Sequence, residues 1–187
     1  MAPLNRMGYS NGTVKSKESS ADASSEGQAS EPDVFVLRVG SKGLANEESI
    51  SAIGEVTLLG DSGLRLVRVT KSHRDARTAW KEIMDRVRDL EWAAPAMRSP
   101  DGAEHYPTGR IAVRFTEKQT VNSLRAFARA HGLELVRKNE FVPSQATFVP
   151  EKPAEVFLPD RVNEVTNNSI VQKAWAETIS RYKREAG

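Results

Sequence analysis

From residue 34 onward, short apolar runs alternate with amphipathic stretches. Val34-Phe35-Val36-Leu37-Arg38-Val39 is a β-branched and aromatic run suited to a buried strand. Asn46 to Ile53 reads as a short helix, with Asn46 as its N-cap and Glu47 and Glu48 in the first turn. Glu55–Leu59 and Leu64–Thr70 are expected as strands joined through the hairpin loop Gly60-Asp61-Ser62-Gly63. From Asp75 to Leu90, the positions Ala76, Ala79, Trp80, Ile83, Met84, Val87 and Leu90 recur at three- and four-residue intervals and form one helical face. Trp92 to Met97 closes this unit as an edge strand, where Pro95 is tolerated.

A loop over Ser99–Pro107 leads to a second unit. Arg110-Ile111-Ala112-Val113-Arg114-Phe115 reads as its first strand. Thr120–His131 reads as a helix burying Val121, Leu124, Phe127 and Ala128, with Gly132 as its cap. Leu133–Val142 and Gln145–Val149 are the next two strands, with Phe141 counted among the core aromatics. Asp160–Trp175 is a weaker helix that Asn167-Asn168-Ser169 can interrupt, and Ala176 to Gly187 has no assigned element. Each half therefore approximates strand, helix, strand, strand, helix, strand. That order predicts an α+β protein of two tandem ferredoxin-like units with antiparallel sheets, over residues 33–98 and 107–187. Gly63-Leu64-Arg65-Leu66-Val67-Arg68 returns almost unchanged as Gly132-Leu133-Glu134-Leu135-Val136-Arg137, which also suggests duplication. The phrase falls on the third strand of the first unit and the second strand of the other.

Residues 1–32 differ from the rest. Ser16 to Ser30 is rich in serine, alanine, glycine, glutamate and lysine and has no aromatic residue. Too little apolar area is available there to offset roughly 1–2 kcal/mol of backbone ordering per residue, so a disordered tail is expected.

Composition narrows the function. The 187-residue chain carries 27 basic and 25 acidic residues, a net charge of +2. So even a balance gives no long-range field to attract nucleic acid or an anionic membrane. The chain has no cysteine, which excludes disulfides and thiolate metal sites and fits a reducing cytoplasm, the expected location. No apolar run reaches the roughly 18 residues of a membrane-spanning helix.

Candidate chemistry is sparse. Gly60-Asp61-Ser62-Gly63 carries the four letters around the nucleophile of trypsin-like proteases. That mechanism needs a histidine base and an aspartate, which in that family lie upstream, and His73, His105 and His131 all lie downstream. The histidines lack metal-ligand spacing; His131 suits a helix C-terminus, and His73 and His105 are expected to be exposed. Gly40-Ser41-Lys42-Gly43 lacks the spacing of a phosphate loop. No catalytic residue, cofactor or metal is expected. Single-stranded RNA binding by a ferredoxin-like sheet would need aromatics on an open face, whereas Phe35, Phe115, Phe141 and Phe148 lie mostly in apolar company.

Pro107-Thr108-Gly109-Arg110-Ile111-Ala112-Val113-Arg114-Phe115 resembles the opening of the propeptides that precede subtilisin-like serine proteases. The helix running to His131-Gly132 and the strand Leu133-Glu134-Leu135-Val136-Arg137 resemble the next elements of those propeptides, and Val87 to Pro95 is similar to the segment before their last strand. The resemblance spans residues 34–187. It implies a ferredoxin-like domain whose sheet docks on a protease and whose C-terminal tail lies extended in the substrate cleft. No subtilase catalytic residues come after Gly187, so the resemblance implies a separate inhibitor, folding chaperone or regulatory partner of a protease. The expected tail is Ala176–Gly187, beside Trp175, with Ile179 and Tyr182 filling pockets and Arg181 among its basic residues; a frayed helix end is the competing reading. A scaffold or adaptor subunit of a multi-component bacterial system is the alternative function.

Overall fold

The computed structural model describes residues 29–40, 44–60 and 63–180. The expected disordered tail up to residue 28, Asp61 and Ser62 of the hairpin, and Arg181 and Tyr182 lie outside them. The described chain is mixed α and β: one antiparallel open sheet of eight strands with four α-helices. In the first half come β1 (Ala29–Val39), α1 (Leu44–Ser51), β2 (Gly54–Leu58), β3 (Leu64–Val69), α2 (Ala76–Arg86) and β4 (Leu90–Arg98). In the second come β5 (Glu104–Phe115), α3 (Val121–Ala130), β6 (Leu133–Lys138), β7 (Gln145–Pro150), a 3-10 turn (Pro153–Glu155), α4 (Leu158–Thr166) and β8 (Val171–Ser180).

The strands lie in the order β2-β3-β1-β4-β5-β7-β6, with β8 paired to β5. In each half the first strand is therefore central. It pairs on one side with the third strand and on the other with the last. The halves join where Met97 and Arg98 of β4 pair with His105 and Glu104 of β5.

Alternation along each strand sorts side chains to opposite sheet faces. In the first half Phe35, Leu37, Val67, Val69 and Ala93 meet Ile50 of α1 and Ala79 and Ile83 of α2 in one core. The intervening residues Val34, Val36, Leu64, Leu66, Trp92 and Ala94 point the other way and join a second, larger core. That core continues through Tyr106, Ile111, Phe115, Phe148, Leu158 and Ala174 of the second half. Burial on both faces explains why β1 reads as an unbroken apolar run. The outer flank of α2 also meets the second half: Arg77 pairs with Asp160 and sits 5.3 Å from the centroid of Phe157, whose ring lies 5.6 Å from that of Trp80.

Several expected boundaries move for local reasons. β1 starts at Ala29, four residues before the expected unit, because Ala29 and Ser30 pair with Arg98 and Met97. Helix α1 starts at Leu44, so Asn46 lies inside it rather than capping it. Strand β5 begins at Glu104, inside the segment expected as loop, and accommodates Pro107 and Gly109 at a register irregularity before Ile111. Helix α3 has Thr120 as its N-cap, accepting from Ser123 N at 3.1 Å, yet Val121 faces solvent at 43% exposure. Strand β6 ends at Lys138 because the Asn139 side chain accepts from the amides of Phe141 and Val142, turning the chain off the sheet. Phe141 is consequently 94% exposed and not a core aromatic. Helix α4 stops at Thr166, and Asn168 accepts from Ile170 N at 3.1 Å, so the asparagine pair does interrupt the expected helix. The chain beyond it is strand β8.

The repeated phrase does not mark equivalent positions. Its first copy is β3, paired on both sides and mostly buried, while its second is β6, paired among the described residues only with β7 and buried only at Leu133.

His73, expected to be exposed, has a side chain only 3% accessible. Its Nε2 lies 2.7 Å from Glu82 Oε2, and its backbone N–H donates to Asp33 Oδ1 at 3.0 Å, tying β1 to α2. The hydrogen bond to His73 holds the Glu82 carboxyl below the ordinary glutamate range; Arg86 and Lys71 act in the same direction and burial opposes them. A carboxyl lowered on folding stabilises the protein above its unfolded pKa of about 4.3 and loses that contribution as pH falls through the lowered folded value. Glu82→Gln is expected to flatten the acid limb of a melting-temperature-versus-pH curve and leave its slope above neutrality unchanged. An acid limb as steep as that of the parent would count against this clamp.

Candidate docking face

The second half has a helix-covered and a helix-free sheet face. Ile111, Val113 and Phe115 of β5, Ala146 and Phe148 of β7, and Ala174 and Ala176 of β8 turn toward α3 and α4 and are buried. The alternate positions form the helix-free face. Register places Arg137, Thr147, Ala112 and Trp175 side by side in one row across β6, β7, β5 and β8. Thr147 and Ala112, at the middle of the row, are 5% and 4% exposed, while Arg137 and Trp175 at its ends remain accessible.

Charges surround the tryptophan. Lys173 Nζ lies 6.0 Å from the centroid of Trp175. Glu177 stands 3.1 Å from Arg137 Nη2 and 3.6 Å from Arg110 Nη1, and Thr108 Oγ1 donates to its backbone carbonyl at 3.2 Å. These long arginine side chains bridge strands on the same face, so it is polar at the periphery and covered at its centre.

The equivalent row of the first half shows what such a face can do. Leu66, Val36 and Ala94 pair across β3, β1 and β4 as Thr147, Ala112 and Trp175 do across β7, β5 and β8. In the first half the row is buried in the core shared with the second. In the second half the same position carries a threonine, an alanine and an accessible tryptophan.

Trp175 and Ile179 lie together on β8, at positions of the same parity, with Ile179 opposite Tyr106 and 40% exposed. Ala176–Ser180 is neither a free tail nor a frayed helix end, because these residues pair with β5 and Ala176 is buried. Both readings gave way to the same cause: the helix ends at Thr166, and Ala174 and Ala176, with Val171 beyond a register shift, supply a buried strand face. Sequence reasoning missed Arg110, Thr147, Arg137 and Glu177. The alternation of Lys173-Ala174-Trp175-Ala176-Glu177 was a visible signal for β8, but the meeting of Glu177 with Arg137 depends on the sheet register.

A cleft of about 350 Å³ lies between β4 and α4, walled by Pro95, Met97, Leu158 and Val162 and floored by Pro107 and Ala174. Among the described residues no three acidic or histidine side chains converge to hold a metal ion, and no helix is long and apolar enough to cross a membrane. No protein-family model and no curated protein sequence matches the chain.

Proposed function

We propose that this chain is a non-enzymatic protein-interaction module of two tandem ferredoxin-like units, acting as a propeptide-like inhibitor, folding chaperone or regulatory partner of a subtilisin-like serine protease. The strand order supports the fold reading, since in each half the last, first, third and second strands lie side by side, as in a split βαβ arrangement. The observation that carries the function is the difference between the two helix-free faces. One is occupied within the molecule, and the other presents Trp175 with a rim of Lys173, Arg137 and Glu177. An aromatic anchor within a polar rim is the usual make-up of a protein contact surface. A cytoplasmic location belongs to the same proposal, and the cysteine-free composition is compatible with it.

The test is steady-state hydrolysis of a peptide substrate by a panel of subtilisin-like proteases, titrated with the full chain. Saturable inhibition, or faster recovery of a denatured protease, is expected. Absence of both across the panel removes the protease reading, and an adaptor acting on another protein through the same face then takes its place.

The tail is tested separately. Deleting residues 181–187 removes no described strand pairing, so the melting temperature should hold while inhibition weakens. Unchanged potency would refute insertion into the protease cleft and leave face docking intact. Deleting residues 176–187 also removes half of β8 with the buried Ala176, and this variant is expected to lose the fold.

A further inference from the structure

Strand β8 has an outer edge with no strand beside it among the described residues, and the other edges of the sheet are blunted. The outer edge of β4 lies against the 3-10 turn, and Trp92, Ala94, Pro153 and Val156 line one small cavity there. Strand β6 is broken by a register shift between Leu135 and Arg137, and β2 is only five residues long. On β8, by contrast, pairing with β5 consumes residues Lys173 to Ser180 with no bulge on the β8 side. Such an edge is a template for another strand.

Its sequence specifies which strand. Lys173-Ala174-Trp175-Ala176-Glu177 reads the same in both directions by side-chain size, with the charge reversed between its ends. We propose that β8 pairs antiparallel with β8 of a second copy of this chain, about a two-fold axis at Trp175. This pairing does not rest on the protease reading, and a partner that covers Trp175 would compete with it. In that register Lys173 of each copy faces Glu177 of the other, Ala174 faces Ala176, and the two Trp175 rings meet at the axis. An isologous contact of this kind needs a self-complementary strip, and opposite charges directly across an antiparallel pair are favourable.

The backbone agrees with this register. Glu177 turns its carbonyl toward β5, where Thr108 Oγ1 donates to it. By strand alternation Ala174, Ala176 and Thr178 turn their N–H and C=O groups to the open edge. Ala174 and Ala176 of the two copies would then exchange both hydrogen bonds. Trp175 would form the closer, non-hydrogen-bonded pair, in which side chains approach most nearly.

Sedimentation velocity on the full chain over a concentration series tests this. The parent chain is expected to dimerise reversibly. Lys173→Glu alone and Glu177→Lys alone each place like charges opposite one another twice and should weaken dimerisation about tenfold or more. An equimolar mixture of the two variants restores both opposite-charge pairs and should dimerise like the parent. A parent chain that stays monomeric throughout, or variants that dimerise as well as it does, overturns the proposal. Glu177→Lys also removes the Arg110 and Arg137 contacts, so its folding is checked by circular dichroism. Trp175→Cys gives an independent readout, because the chain otherwise has no cysteine. A symmetric pair with Cα atoms about 4.5 Å apart can close a disulfide, so mild oxidation should yield a covalent dimer. Failure to cross-link beyond the level of a Phe141→Cys control also counts against it.

Discussion

Replacing Gly109 by alanine is expected to destabilise the protein by about 2–5 kcal/mol, combining roughly 1–2 for a left-handed backbone with 1–3 for overpacking. Gly109 has φ +81°, and a Cβ there would stand 2.7 Å from Cε2 and 3.0 Å from Nε1 of Trp92. Trp92 is 8% exposed and belongs to the core that spans both halves, so the indole has little room to retreat. The position therefore reports on the seam between the halves. Adding Trp92→Phe to Gly109→Ala should recover part of the loss, since the smaller ring relieves the clash and leaves the backbone strain. Chemical denaturation checks both variants. A Gly109→Ala protein as stable as the parent would mean that β5 and Trp92 do not pack as described. The shared core also predicts that both halves unfold in one transition.

Phe148→Ala is expected to be at least as damaging, by about 3–5 kcal/mol, the range for removing a fully buried aromatic. Phe148 is completely buried on β7. Its ring centroid lies 6.3 Å from that of Phe115 and 5.6 Å from that of Phe127, and Phe115 and Phe127 meet edge-on at 5.0 Å. These three rings fasten α3 to the sheet, and their geometry adds stabilisation beyond buried area. For a chain of this size the loss corresponds to a melting temperature lowered by roughly 6–20 °C. A fall of only a few degrees would mean that the cavity collapses freely. Because Phe148 points to the helices and its neighbour Thr147 to the docking face, Phe148→Ala should weaken partner binding only through lost stability.

The strand-and-helix order was legible in the sequence because it rests on short-range periodicity. The apolar run Val34–Val39 predicts a buried strand, and the expected helix Thr120–His131 lies within one residue of α3 at each end. The failures share a different cause, in that each depended on a partner distant along the chain. Ala29 and Ser30 look like tail until Met97 and Arg98 pair with them. His73 looks exposed until Asp33 and Glu82 close on it from forty and nine residues away. Phe141 looks like core because its strand-forming sequence is overridden by one asparagine side chain. Of the proposed contact residues, Trp175 reads from sequence as the end of a helix and Ile179 as part of a tail. Their shared sheet face emerges only from the pairing of β8 with β5. The repeated phrase was the most conspicuous sequence signal and the least informative, since it occupies an interior strand once and an edge strand once.

What distinguishes the halves physically is how each helix-free face is satisfied. The first is apolar and sequestered; the second mixes an indole with paired charges, a surface that water tolerates and a partner can still cover. The most direct measurement is hydroxyl-radical footprinting of the full chain, free at a concentration where it is monomeric and in complex with an inhibited protease. Oxidation of Trp175 should fall sharply in the complex, while that of Phe141, on the β6–β7 loop, should not change. A complex that forms with Trp175 oxidised at its free rate would show that this face is not where the protein engages its partner.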